Sequence, residues 1–68
     1  METLSNRVKE LRLQKDISQG KLAELVGVTR QTIISLEKGS YIPSLLLAMR
    51  ISEVLETTIE QIFKKESI

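Results

Sequence analysis

Between Val26 and Arg30 the chain has three residues, Gly27, Val28 and Thr29, in which to end one segment and begin the next. Glycine readily adopts the left-handed conformation that closes a helix, and a threonine oxygen can accept a backbone N–H from the first turn of the helix that follows. Upstream, Ser18 is placed to cap a helix over about 19–26 with Leu22, Ala23 and Val26 inward. Downstream, VTRQTII is rich in β-branched residues and on its own could form a strand. Capping decides for a helix. With Thr29 at the N-cap, Val28 and Ile33 occupy the two positions whose contact makes a hydrophobic staple. Ile33 and Leu36 then face inward, and Gly39 marks the end. Arg30 and Gln31 fall in that helix's first turn, where unpaired N–H groups and the dipole favour acids. A cation and an amide there need another reason.

The rest of the chain supplies three further helices. Leu4, Val8 and Leu11 recur at helical spacing over roughly 5–15. Pro43 and Ser44 open a fourth segment running to about Leu55, with Leu47, Ala48, Ile51 and Leu55 on one face. Thr58 and Gln61 have capping-box spacing before Ile59, Ile62 and Phe63, and the final KKESI is expected to fray or serve an interface. The expected fold is therefore all-α, a compact domain of five short helices spanning 1–68.

Catalysis is hard to build from this composition. With no Cys and no His, there is no disulfide, no thiol chemistry and no ordinary zinc site, and a Ser or Thr nucleophile lacks its usual base. Glu53, Glu56 and Glu60 are the densest acids, and read as a solvated helix face. No enzyme, metal or cofactor is expected. No apolar run reaches the roughly 18 residues of a membrane span, so a cytoplasmic protein without membrane contact is expected. The net charge is only +1. Residues 1–38 carry seven basic and five acidic side chains, or +2, and residues 39–68 three and four, or −1.

With these residues placed, ISQGKLAELVGVTRQTIISLEKG resembles the helix-turn-helix of the phage repressor and Cro-type transcriptional regulators. NRVKELRLQK and YIPSLLLAMRISEVLETTIEQIF resemble that family's first, fourth and fifth helices, so nearly the whole chain is covered. The resemblance implies a lambda-repressor-like domain, with the helix-turn-helix at about 19–38 and residues 44–68 as support and dimerisation surface. It implies a symmetric homodimer on double-stranded DNA with a palindromic operator. In such domains the second paired helix enters the major groove by its N-terminal residues. Arg30 and Gln31 are then base readers, Ser35 a weaker third, and Ile34, where a polar residue is usual, meets a thymine methyl or packs on a neighbouring loop or protomer. Gln19 is the candidate for gripping a backbone phosphate, and Thr29, Lys38, Arg7 and Lys21 are further phosphate candidates. Arg12 and Glu37 match the family's internal ion pair, a structural role.

Departures from the pattern are Gly20, in place of a polar helix former, and Glu56, where Gly or Asn usually allows a left-handed turn. Tyr41 brings no arginine for the minor groove. Leu46, Met49 and Val54 are surplus apolar positions, and Ile59, Ile62, Phe63 and Ile68 are the interface candidates. A repressor with no small-molecule ligand is the reading preferred; an antitoxin that also binds a toxin, and a helical protein-interaction module without DNA binding, are the alternatives.

Overall fold

The computed structural model describes residues 2–67. In chain order it forms strand β1 (Glu2–Asn6), helices α1 (Val8–Gln14), α2 (Gln19–Val26), α3 (Arg30–Glu37), α4 (Leu45–Leu55) and α5 (Ile59–Ile62), and strand β2 (Phe63–Ser67). Each of the last four helices starts at a hydroxyl cap. Ser18, Thr29, Ser44 and Thr58 hold extended backbone and accept N–H bonds from Lys21, Thr32, Leu47 and Gln61. Gly27, at φ 78°, ends α2. Glu56 ends α4 in the same left-handed region at φ 54°, so the corner keeps the usual geometry although its residue carries a Cβ.

The all-α expectation is corrected at the two ends. β1 and β2 pair antiparallel, from Glu2 opposite Ser67 to Asn6 opposite Phe63. The tail is not frayed over 64–67, and Leu4 lies on a strand rather than at the head of α1. Pairing explains the difference: a strand hydrogen-bonded to a partner about sixty residues away leaves no local signature of helix or turn.

The core consists of Val8 and Leu11 from α1, Leu22, Ala23 and Val26 from α2, Ile33 and Leu36 from α3, four residues of α4, and Ile62 and Phe63. The last two correct the interface expectation. Ile62 is 1% exposed and Phe63 8%, so both are spent within the protomer, and Ile59 packs partly against the same core. Ile68 lies outside the described residues. Among the described residues, no helix is long and apolar enough to cross a membrane.

Candidate nucleic-acid interface

The C-terminal end of α3 is held from three sides. The Arg12 guanidinium donates from Nε to Glu37 Oε2 at 2.8 Å, from Nη2 to Glu37 Oε1 at 3.3 Å, and from Nη1 to the Ile17 carbonyl at 2.8 Å. Gln19 Nε2 donates to Glu37 Oε1 at 3.0 Å. Both charged side chains are almost fully buried, 7% and 4% exposed. Planar guanidinium and carboxylate meet edge to edge, the arrangement that best offsets the desolvation of two charges. Among the described residues no buried side-chain N or O is left without a partner. Asn6 adds a third tether. Its Nδ2 donates to the Leu36 carbonyl at 2.8 Å and its Oδ1 accepts from Val8 N at 3.1 Å, so one amide joins the end of α3 to the start of α1.

The N-terminal end is open. Thr29 Oγ1 accepts from Thr32 N at 3.3 Å and lies 3.0 Å from Thr32 Oγ1, which satisfies the cap. Arg30 and Gln31 are exposed, with no acid in their turn. Arg30 has no ion pair among the described residues. Its stem crosses Gly20: a Cβ there would lie 3.9 Å from Arg30 Cδ. That is an ordinary van der Waals distance, so the starts of α2 and α3 lie close together and Gly20 leaves room beside Arg30. Gln31 Nε2 donates to Ser35 Oγ at 3.3 Å, so those two share one stripe, and Ile34 beside them is half-buried.

The phosphate candidates divide. Gln19 uses one amide N–H on Glu37 and retains a second. Lys38 is exposed at the C-cap of α3. Arg7 is committed to Glu10 at 2.6 Å, a contact that holds the Glu10 carboxyl below its ordinary range, first by the hydrogen bond and then by charge attraction. Lys21 approaches Glu24 at 3.6 Å. Two positioning residues escaped the sequence reading. Asn6 had a signal, an amide just ahead of an apolar helix start, whereas Arg50, whose Nη1 donates to the Val26 carbonyl at 3.4 Å, had none.

α3 thus has an open, capped start close to the start of α2, and a far end bolted to the scaffold. Comparison with known proteins gives the family. A family model described as helix-turn-helix matches residues 8–62. An uncharacterised HTH-type transcriptional regulator of Bacillus subtilis, YgzD, is 52% identical over 60 residues, covering 88% of this chain and 91% of that one. Among solved structures, the restriction-modification controller protein C.AhdI from Aeromonas hydrophila superimposes with a TM-score of 0.75 at 31% identity, over 81% of this chain and 83% of that one. The N-terminal DNA binding domain of SinR from Bacillus subtilis does so at 0.72 and 31%, over 78% of each. The chain belongs to the helix-turn-helix family of DNA-binding transcriptional regulators.

Proposed function

We propose that residues 1–68 work as one unit, a sequence-specific repressor that binds a palindromic operator as a homodimer through the major groove. The observation that carries this reading is the first turn of α3, where Arg30 and Gln31 stand exposed and the helix start lacks the acid that stability alone would select. An external polyanion supplies what the turn lacks. Gln31 can bridge adenine N6 and N7, and Arg30 can bridge guanine O6 and N7 or hold a phosphate. Ser35 follows Gln31 along the same stripe, and Ile34 is the apolar neighbour for a thymine methyl. Gln19, steadied by Glu37, has a free N–H for a backbone phosphate, and Thr29 and Lys38 flank the same face. Arg7 and Lys21 are weaker contributors, since each would have to leave an acid. A repressor blocks by occupancy, which needs only DNA contact and dimerisation. The restriction-modification controller role of C.AhdI is compatible with this reading.

Selection of bound sequences from random duplexes tests it. Wild type should enrich an inverted repeat whose half-sites are about 34 Å apart. Gln31→Ala should relax preference at one base position per half-site by about 1–3 kcal/mol, whereas Gln19→Ala should weaken all sites alike. An unchanged motif with Gln31→Ala would refute the assignment of the reading face.

A further inference from the structure

β1 and β2 form a two-stranded sheet from the two ends of the chain, and its last rung, Asn6 opposite Phe63, sits where the sheet meets the helices. That rung is fixed from both sides. Arg7 N donates to the Ile62 carbonyl at 2.8 Å, which carries the pairing one step further, and the Phe63 ring is packed in the core. From this anchored backbone the Asn6 side chain reaches α3. Its amide has one workable orientation, because a flip would set oxygen against the Leu36 carbonyl and an N–H against Val8 N. The bond from Val8 N also stands in for a cap on α1, since the Arg7 side chain makes none.

We infer that Asn6 is a positioning residue for base reading, and that the terminal sheet which holds it thereby helps to set sequence discrimination. This rests on the reading face proposed above and names a residue outside that face on which it depends. Two observations separate the bond to α3 from a merely local one. The Leu36 carbonyl already accepts Gly39 N at 3.0 Å, so Asn6 is not needed to satisfy it. What the amide adds is attachment. An aspartate would cap Val8 N equally well, and only the amide also donates to a second element.

The attachment complements the Arg12 pair. Leu36 is held by β1 and Glu37 by α1, and a helix tied to two different elements is fixed in roll as well as tilt. A tilt of about 10° at Leu36 displaces the start of α3 by roughly 1.5–2 Å. A productive contact tolerates about 0.5 Å.

Asn6→Asp isolates the bond, because it keeps the acceptor for Val8 N and removes the donor to Leu36. Affinity is measured for the selected operator and for a scrambled duplex of the same length and composition. Their ratio should fall about tenfold from wild type, the discrimination carried by roughly one base contact. Taking the ratio cancels the general cost of an added negative charge, which weakens both duplexes alike. Lys64→Pro/Lys65→Pro should lower the ratio with Asn6 itself intact, because one of two successive residues on an antiparallel strand donates across the ladder. Thr58→Ala is the control. It removes the α5 cap and so costs stability away from α3, and it should leave the ratio unchanged, since the molecules that stay folded read as before. Circular dichroism checks folding; should the proline pair not fold, Asn6→Asp decides. An unchanged ratio with Asn6→Asp, or an equal fall with Thr58→Ala, overturns the inference. Residual dipolar couplings of the α3 amides, measured without DNA, should report a changed orientation of α3 relative to α1 in Asn6→Asp. Unchanged couplings overturn it too. Failure of the reading face looks different: wild type then prefers no duplex, although the α3 couplings still respond to Asn6→Asp.

Discussion

The two ends of α3 are treated in opposite ways. At its C-terminal end Glu37 is buried and meets Arg12 and Gln19, while Asn6 takes the Leu36 carbonyl. At its N-terminal end a cap is made and two long polar side chains are left in water. One end spends its hydrogen-bonding capacity inside the protein and the other reserves it. The proposed function would use both, because a base contact is specific only if the helix cannot tilt to suit the wrong base. The Arg12–Glu37 pair sits at the far end of the helix from Arg30, roughly 12 Å along its axis. That pair can fix orientation while Gln19 links it to the start of α2.

Breaking the bolt should give the largest effect. Arg12→Met leaves the Glu37 carboxylate buried with one amide partner, and should cost about 3–5 kcal/mol in urea unfolding. Arg12→Met/Glu37→Leu removes both charges and should recover most of that stability. It should still bind DNA less tightly than wild type, because Gln19 has lost its anchor. A loss below about 1 kcal/mol for the single variant would mean that the pair does not secure the helix.

The open end should respond on a smaller scale, and in two senses. Thr29→Ala removes the cap and should cost about 1 kcal/mol of stability, measured by the same unfolding. Gln31→Glu should do the reverse. An acid in the first turn complements the dipole, so the variant should gain about 0.3–1 kcal/mol while losing affinity for every duplex. A variant that is both more stable and deficient in binding would identify the first turn as shaped for a partner. If Gln31→Glu kept wild-type affinity, that argument would fail.

Much of this contrast was legible before the structure. Hydroxyl caps at Ser18, Thr29, Ser44 and Thr58 are local chemistry, as is the left-handed Gly27, and they fixed four helices and the tight turn. The open end was legible for the same reason, since Arg30 and Gln31 broke a local rule. The bolted end was not local. Arg12 and Glu37 were matched only through family resemblance, and the roles of Gln19 and Asn6 within it depend on contacts 18 and 30 residues away. The sheet was hidden by the same distance. Phe63 and Ile62 continue a helical apolar pattern, and only the β1–β2 pairing shows that the chain leaves the helix at Phe63 and turns that ring inward.

A surface ion pair offers the control for the buried one. Lys15 Nζ meets Glu56 Oε1 at 2.6 Å, with the Glu56 side chain 76% exposed and that of Lys15 33%, so the pairing is at least as short as that of Arg12 with Glu37 but far more open to solvent. The hydrogen bond from Lys15 and, next, its charge hold the Glu56 carboxyl below its ordinary range. A carboxyl whose folded value lies below its unfolded one stabilises the fold fully above the unfolded value, near roughly pH 4.3, and loses that contribution as pH falls through the folded value. Thermal unfolding of wild type and Glu56→Gln should therefore differ slightly at neutral pH, with wild type the more stable, and converge on acidification. Glutamine keeps the side-chain length at this left-handed position, so the backbone cost is common to both. Solvent screening makes this the smallest effect, and about 1 M salt, where the Debye length is near 3 Å, should erase it. The Arg12→Met penalty should survive the same salt. If both penalties vanished together, burial would not be what separates the locked end of α3 from the surface.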